Sequence, residues 1–275
     1  MVQYMPDGYR LLDIPNPFGG PVWRTESTGS TMEDAARLIG GDENGCGGGG
    51  IRSEGSSPEK GPPSGTVLVA GFQHSGIGRI PGRIWSSPPG ESLLLSLLLP
   101  EGAFRFPATL LPLAAAAGLA RFVRELGLEP RIKWPNDLLI SGRKCAGILC
   151  RRKRGWLVTG IGLNVLQRSF PGDGAGSPGA GPTSLALERG ENVLPPPELL
   201  PALLARLEEA LKSGGIAEEV EDLLWRRGGE YTVVLGNPES GETVTGTAEG
   251  ICGDGALLLR VDGKLLTVFS GEVSR

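Results

Sequence analysis

Apolar and polar positions alternate in two different ways along the chain, and the change occurs near residue 230. Before that point, apolar strand-like runs and stretches with helical spacing follow one another. Strands are predicted at residues 21–24, 66–72, 92–99, 131–134, 137–140, 144–150 and 156–164. Helices are predicted at residues 32–39, 107–127, 199–211 and 216–227. This mixture is typical of an α+β fold in which helices flank a mixed sheet.

After Gly228-Gly229 the pattern changes to short strands with glycine-containing turns between them. These strands are predicted at residues 232–235, 242–250, 256–261 and 264–269. Such spacing is typical of a small β-barrel. We therefore predict a main domain over residues 21–229 and a barrel over residues 230–275.

Four stretches interrupt the regular pattern. Residues 1–20 are predicted to be a flexible N-terminal segment and residues 40–65 a disordered insertion, because their glycine- and proline-rich composition does not support a packed element. Residues 73–89 and 167–182 are predicted to be long loops.

The composition is that of an ordinary soluble globular protein, with 275 residues, 39% hydrophobic and 21% charged residues, and a net charge of -4. Nonspecific nucleic-acid binding is not expected from this charge. The chain lacks an apolar run long enough to span a membrane and begins without a secretory signal, so a cytoplasmic location is expected. The single histidine, His74, excludes sites that need two histidines, and the four cysteines lack metal-type spacing.

A predicted hairpin carries Lys133, Asp137 and Lys144 between apolar strand-like segments. Apolar strand residues surround these positions, and a turn at Ser141-Gly142 would bring both lysines to one surface of the sheet. Two ammonium groups beside one carboxylate suit an anionic ligand such as a phosphate or a carboxylate. A solvent-exposed charged face is the alternative.

A loop after a buried strand combines Gly76, Gly78 and Gly82 with Arg79 and Arg83. Glycines let the backbone approach a ligand closely, and arginines donate paired hydrogen bonds to phosphate or carboxylate oxygens. The prolines in and after the loop argue against a dinucleotide-binding fingerprint, which needs a helix directly after the loop. A mobile surface loop is the alternative.

Two further segments have both a ligand-binding and a structural interpretation. Ser30 and Thr31 precede a predicted helix, where hydroxyl groups cap the helix and an N-terminus also attracts anions. Gly160, Gly162 and Asn164 end a strand, which fits either a ligand site or an edge strand with a bulge. Together, these segments could position a carboxylate for attack on the α-phosphate of ATP.

These segments resemble, in the same order, the motifs of biotin protein ligases. The resemblance covers residues 21–275 and rests on Gly29-Ser30-Thr31, Gln73 with the loop from Gly76 to Pro88, Lys133-Trp134-Pro135-Asn136-Asp137, Lys144-x-Ala146-Gly147-Ile148, Gly160-Ile161-Gly162-Leu163-Asn164 and Ser270-Gly271-Glu272-Val273-Ser274. It implies a class II synthetase-like catalytic domain followed by an SH3-like barrel. It also implies an ATP-dependent ligase that converts biotin to biotinyl-5'-adenylate and transfers it to a lysine of a biotin carboxyl carrier domain.

The resemblance implies a role for each matching residue. Biotin would be bound by Ser30, Thr31, Gln73, Ile77, Gly78, Arg79, Lys144, Gly147 and Gly162. ATP would be bound by Arg79, Arg83, Trp85, Lys133, Asn136, Lys144 and Asn164. The catalytic residues would be Lys144, Asp137 and Arg79. Mg2+ would accompany ATP, and the sequence leaves its protein ligands open.

One departure from the family pattern is Ile77, where arginine or lysine is usual. Loss of one charge-assisted hydrogen bond costs about 1.5 to 3 kcal/mol, so weaker biotin affinity is expected. Since no DNA-binding head precedes residue 21, repressor activity is not expected, whereas monomer and homodimer both stay open. A lipoate or octanoate ligase and a catalytically weak biotin-binding protein are the alternatives.

Overall fold

Two large sheets, a two-stranded ribbon and five helices make up the residues described by the computed structural model, 5–40, 61–170, 181–190, 192–236 and 241–274. In chain order the strands are β1 (Arg10–Leu12), β2 (Val22–Thr25), β3 (Thr66–Ala70), β4 (Gly76–Ile77), β5 (Ile84–Trp85), β6 (Ser92–Pro100), β7 (Pro130–Lys133), β8 (Asp137–Ile140), β9 (Arg143–Lys153), β10 (Trp156–Asn164), β11 (Glu230–Leu235), β12 (Thr243–Ile251), β13 (Leu257–Val261), β14 (Lys264–Val268) and β15 (Gly271–Ser274). The helices are α1 (Thr31–Ile39), α2 (Leu111–Glu125), α3 (Leu185–Arg189), α4 (Pro196–Lys212) and α5 (Ile216–Leu223).

The larger sheet has the strand order β1-β2-β3-β6-β10-β9-β8-β7. Neighbouring strands are antiparallel except β2 and β3, which are parallel, so the predicted mixed sheet is confirmed. Strands β6 and β10 lie at its centre, which explains why nearly all of their residues are buried.

Helices cover both faces of this sheet. Helix α2 is apolar on most sides and packs against α4, α5 and one face of the sheet. At Gly118 a Cβ atom would lie 2.8 Å from Cα of Leu207, so the glycine allows α2 and α4 to approach closely. Helix α1 packs on the opposite face, because its apolar cluster uses alternate strand residues such as Leu98 and Val158.

The smaller sheet is antiparallel throughout, with the order β14-β13-β12-β11-β15. It confirms the coarser prediction of an all-β C-terminal unit, and β11 begins at the first residue of the predicted C-terminal domain. In the pairing of the described residues, β14 and β15 are the edges of an open sheet. Strand β15 was missing from the prediction because four residues are too few to show a period.

The predicted flexible segment at residues 1–20 is wrong for the residues that the structure describes. Strand β1 pairs with β2, and the buried Tyr9 hydroxyl donates to the Asp34 carboxylate at 2.6 Å. The proline- and glycine-rich composition conceals a strand of only three residues.

The predicted disordered insertion at residues 40–65 is described only in part, because residues 41–60 lie outside the described ranges. The last residues of the insertion contact the larger sheet. The Gly65 amide donates to the Leu98 carbonyl at 2.9 Å, and a Cβ at Gly61 would lie 2.7 Å from the Trp156 ring. The disorder prediction is therefore wrong for residues 61–65.

The structure also contains short elements that the sequence did not predict, and one predicted helix ends earlier. The loop predicted at residues 73–89 contains the short strands β4 and β5, and α3 follows the loop predicted at residues 167–182. Helix α5 ends at Leu223, because the Trp225 amide donates at 2.8 Å to the Ile132 carbonyl instead of continuing the helix.

None of the helices among the described residues combines the length and the apolar character that crossing a membrane requires.

Candidate active site

Three adjoining cavities surround Lys144 and Trp85, and both side chains border all three. The hydroxyl cavity is lined by Ser30, Thr31, Met32, Gln73, Ile77, Gly78, Arg79, Trp85, Leu95, Asn136, Lys144, Gly147, Ile148, Leu149, Gly160, Ile161 and Gly162. The cation cavity is lined by Gly78, Arg79, Ile80, Arg83, Ile84, Trp85, Lys133, Trp134, Pro135, Asn136, Asp137, Lys144, Glu272 and Val273. The aromatic cavity is lined by Ile84, Trp85, Ser86, Lys144, Asn164, Phe170 and Pro182.

The fold brings the residues singled out from the sequence together around these cavities. Every residue assigned to biotin borders the hydroxyl cavity. Of the residues assigned to ATP, all but Asn164 border the cation cavity, and Asn164 borders the aromatic cavity. Their roles toward a ligand stay predictions. Their common location is a finding of the structure, because the motifs are far apart in the sequence.

In the hydroxyl cavity, a chain of hydrogen bonds fixes Thr31 and Gln73. The Ser96 hydroxyl donates to Thr31 Oγ1 at 2.8 Å, and the Thr31 hydroxyl and amide donate to Gln73 Oε1 at 3.1 and 2.8 Å. Ser96 is fully buried on β6 and was not predicted as part of the site. A serine in an otherwise leucine-rich central strand was the available signal.

Ser30 differs from Thr31 because its hydroxyl has no partner among the described residues. The residue is the N-cap of α1, yet its side chain makes no capping hydrogen bond, and it is only 1% exposed. A buried polar group without a partner costs about 1 to 3 kcal/mol. The hydroxyl is therefore available to a polar ligand atom, which favours the ligand-binding interpretation of this segment over capping alone.

Two glycines on neighbouring strands make room for the Trp85 ring. Gly147 and Gly162 are paired between β9 and β10, and a Cβ atom would lie 3.1 Å and 2.5 Å, respectively, from the indole. Strand β10 lies between β6 and β9, so the alternative that this segment is an edge strand is wrong. The glycines instead let an aromatic ring lie directly on the sheet.

The cation cavity contains the predicted hairpin and the arginine loop. Lys144 Nζ lies 2.7 Å from Asp137 Oδ1, and Asp137 is directly paired with Lys133 across β7 and β8. Neither side chain of the Lys144–Asp137 pair is fully exposed, at 39% and 21%. The hairpin is therefore part of a concave site rather than an exposed charged face.

The two arginines of the loop lie differently in the site. Arg83 forms an ion pair with Glu272 of β15, which connects the loop to the C-terminal sheet. Arg79 borders both the hydroxyl and the cation cavities. Desolvation lowers the pKa of Arg79, and the charges of Glu272 and Asp137 oppose that effect. A guanidinium remains protonated at neutral pH, so Arg79 brings a positive charge to the boundary between the cavities.

Ile77 lines the hydroxyl cavity, where the family pattern would have a cation. It is partly buried and packs against the apolar cluster that includes Trp23 and Met32. Arg79 and Lys144 are the cations that border both this cavity and the cation cavity. Weaker biotin affinity stays a prediction.

Two amide side chains of the predicted ATP site already have partners within the protein. Asn136 Nδ2 donates to the Ile148 carbonyl at 2.7 Å. Asn164 Nδ2 donates to the Thr183 carbonyl at 2.9 Å, and Asn164 Oδ1 accepts from Gln167 Nε2 at 3.2 Å. Both amides thus fix the walls of the site, and their contact with ATP stays a prediction.

The aromatic cavity contains two residues that the sequence did not indicate, Phe170 and Pro182. Both lie in the glycine- and proline-rich stretch that was predicted as a loop, and residues 171–180 between them are outside the described ranges. Composition alone gave no signal that this stretch reaches Lys144.

Neither a metal cluster nor a reactive thiol occurs among the described residues. Groups of three or more histidine, cysteine, aspartate or glutamate side chains that could hold a metal are absent from this part of the chain. Burial raises the pKa of the Cys150 thiol to about 12, so it is protonated at neutral pH. The polar side chains that line the cavities are the cations, hydroxyls, amides and carboxylates described above.

Comparisons with known proteins give a consistent result. Residues 51–167 match the model of the biotin/lipoate A/B protein ligase family, and residues 237–275 match that of the biotin protein ligase C terminal domain. The chain is 35% identical over 205 residues to a biotin–[acetyl-CoA-carboxylase] ligase of Paracoccus denitrificans, which covers 70% of this chain and 83% of that protein.

A second relative is the bifunctional ligase/repressor of Bacillus subtilis, which is 32% identical over 225 residues and covers 77% of this chain. The chain spans 66% of that relative's length. Among solved structures, the biotin protein ligase from Aquifex aeolicus in complex with biotin and ATP superposes with a TM-score of 0.72 at 25% identity. That match covers 92% of this chain and 97% of the other.

Proposed function

This chain belongs to the biotin/lipoate A/B protein ligase family, among its biotin protein ligases, and from that premise we propose that it biotinylates a carrier protein. It activates biotin with MgATP as biotinyl-5'-adenylate and transfers the biotinyl group to a lysine of a biotin carboxyl carrier domain. The observation that carries this proposal is the meeting of three chemically different cavities at Lys144.

Each cavity suits one part of the two substrates. The hydroxyl cavity offers Ser30, Thr31 and Gln73 to the polar atoms of the biotin ring system, and Lys144 at its border would bind the biotin carboxylate. The aromatic cavity offers flat apolar surfaces at Trp85 and Phe170 to the adenine. The cation cavity, with lysine and arginine side chains, suits the phosphates.

In the first step, a biotin carboxylate oxygen attacks the α-phosphorus of ATP. The new oxygen–phosphorus bond replaces the bond to the β-phosphate, and pyrophosphate leaves with both electrons of that bond. Lys144 reduces the repulsion between the carboxylate and the phosphate and stabilises the charge that develops on the α-phosphate oxygens. Asp137, at 2.7 Å from Lys144, orients the ammonium group.

In the second step, the amine of the carrier lysine attacks the carbonyl carbon of the adenylate. The bond from this carbon to the phosphate oxygen breaks, AMP leaves with its electron pair, and the nitrogen releases a proton to solvent. Arg79 lies at the boundary of the two cavities where the acyl phosphate would form, so its charge holds the intermediate. Catalysis in this proposal consists of positioning and charge stabilisation.

Mg2+ enters the site with ATP as part of the substrate. Asp137 and Glu272 are the carboxylates that border the cation cavity. Two carboxylates beside a phosphate site suit Mg2+, because this ion usually binds through one or two carboxylates together with substrate phosphates rather than through protein groups alone. The metal would supply additional charge neutralisation at the phosphates.

The finer description of the fold is also a proposal, namely a class II synthetase-like catalytic domain and an SH3-like barrel formed by β11–β15. Five antiparallel strands and the bulge between Ala248 and Gly250 support barrel formation, because bulges bend and twist a sheet.

Biotin-dependent exchange of labelled pyrophosphate into ATP tests the proposed activity. We expect exchange that requires biotin and Mg2+, followed by incorporation of biotin into a carrier domain. Exchange with lipoate or octanoate but not with biotin would contradict the substrate assignment. Biotin binding without exchange would favour a catalytically weak biotin-binding protein.

A further inference from the structure

The main chain of Lys144 bonds to a segment beside the active site, in addition to the pairing of Lys144 with Leu139 in its own hairpin. The Lys144 amide donates to the Gly181 carbonyl at 3.3 Å, and the Thr183 amide donates to the Lys144 carbonyl at 2.7 Å. These two bonds form a parallel bridge between Lys144 and Pro182. The position of the Lys144 side chain therefore depends on where residues 181–183 lie.

A single carboxylate, that of Glu188 on α3, connects the two segments that form this bridge, through residues that neighbour Lys144 and Pro182. Glu188 Oε1 accepts from Thr183 Oγ1 at 2.6 Å and from Arg143 Nη2 at 2.7 Å. Glu188 Oε2 accepts from Ser141 Oγ at 2.8 Å. The Glu188 carboxylate thus bonds to Arg143, which precedes Lys144, and to Ser141 in the turn before it. It also bonds to Thr183, whose amide donates to the Lys144 carbonyl.

Burial and charge favour these bonds. The Glu188 side chain is only 8% exposed. Burial alone would raise the pKa of its carboxyl group, but the hydrogen bonds from Thr183, Ser141 and Arg143 outweigh burial and lower the pKa. Glu188 is therefore ionised at neutral pH and accepts from all three donors.

Glu188 does not itself line any of the three cavities formed by the described residues. A direct contact with a substrate is therefore not its role. We propose that Glu188 is a positioning residue for Lys144, fixing the turn between β8 and β9 against residues 181–183. This inference rests on the function proposed above.

A lysine side chain needs such positioning because its stem is flexible. The position of the ammonium group therefore depends on both the backbone of Lys144 and the contacts of the ammonium group itself. Asp137 holds the ammonium group, with Oδ1 2.7 Å from Lys144 Nζ. The bridge to residues 181–183 holds the backbone end. Since misplacing a reacting group by about 1 Å can reduce a rate about 100-fold, a fixed backbone end matters for catalysis.

Glu188→Gln tests the inference, because glutamine keeps the shape but replaces one acceptor oxygen with a donor. We expect biotin-dependent pyrophosphate exchange to fall at least about tenfold. We also expect biotin affinity, measured by titration calorimetry, to fall in the wild-type background. In a Lys144→Ala background, Glu188→Gln should change biotin affinity by less than about twofold, since the group that Glu188 positions is absent.

Glu219→Gln is the matched control. It disrupts the pair in which Arg121 Nε donates to Glu219 at 2.8 Å between α2 and α5, and Glu219 does not line the three cavities. This control should lower the thermal unfolding midpoint without slowing exchange. A variant that affects stability alone would behave like this control.

Three outcomes would overturn the assignment of Glu188. These are wild-type exchange rates in Glu188→Gln, an equal loss of exchange in Glu219→Gln, and an undiminished effect of Glu188→Gln on biotin affinity in the Lys144→Ala background. Absence of exchange in the wild-type protein would instead overturn the proposed function, and this inference with it. The two failures are therefore distinguishable.

Discussion

At the scale of single residues, two hydroxyl side chains of the hydroxyl cavity differ in their hydrogen bonds, since one has partners within the protein and the other has none among the described residues. Thr31 is bonded to Ser96 and Gln73, so its hydroxyl has a fixed orientation. The Ser30 hydroxyl is buried without a partner among the described residues. Thr31 therefore shapes the cavity, whereas Ser30 is the better donor or acceptor for an incoming ligand.

Ser30→Ala should separate these two roles. We expect biotin affinity to fall about tenfold, because a hydrogen bond formed only in the complex is lost. Thermal stability should stay the same or rise, since the free protein no longer buries an unsatisfied hydroxyl. Calorimetric titration and a thermal melt give both quantities. Reduced stability with unchanged biotin affinity would contradict this account of Ser30.

The residues that could be predicted are those in continuous motifs. Lys144, Asp137 and Arg79 stood out because charged side chains interrupt apolar or glycine-rich runs. Ser96 gave only the signal of a serine in a leucine-rich strand, and Phe170 and Glu188 gave none. Phe170 reaches the aromatic cavity, and Glu188 reaches the turn before Lys144, through tertiary contacts that no local pattern records.

At the scale of elements, the site depends on how the ribbon of β4 and β5 lies on β9 and β10. The ribbon carries Trp85, and Gly147 and Gly162 provide the flat surface beneath its ring. Long strands such as β6 and β10 were predictable from their apolar runs. The ribbon was not, because strands of two residues show no period.

Gly162→Ala should displace the ribbon. Its Cβ would lie 2.5 Å from the Trp85 ring, closer than real side chains approach, so the indole must move. Because Trp85 borders all three cavities, we expect higher KM values for both biotin and ATP and slower exchange. Gly214→Ala is the control, since a Cβ there would meet nothing within 4 Å. Unchanged kinetics in Gly162→Ala would contradict the proposed contact.

At the scale of the whole molecule, the two sheets share one apolar core and are joined near the active site. Trp134 follows β7, and its indole Nε1 donates to the Gly255 carbonyl of the C-terminal unit at 3.0 Å. Arg83 and Glu272 connect the loop to β15. The change in the apolar and polar pattern near residue 230 predicted two units but could not predict these connections.

Trp134→Phe tests how much the connection contributes to stability. The variant leaves a buried carbonyl without its donor, which costs about 1 to 3 kcal/mol beyond the change in packing. Trp23→Phe is the matched control, because Trp23 is also buried but its Nε1 has no partner among the described residues. The free energy of unfolding in urea should fall more in Trp134→Phe. Equal losses in the two variants would argue against the hydrogen bond as a stabilising contact.

Adenylate formation is proposed to occur where the three cavities meet at Lys144. Biotin-dependent pyrophosphate exchange in Lys144→Ala tests it most directly, with Lys153→Ala, at the other end of β9, as the control. We predict a loss of about 100-fold or more in Lys144→Ala, as expected when a group that stabilises developing charge is removed, and an unchanged rate in the control. Exchange in Lys144→Ala at a rate close to that of the wild type would contradict the account.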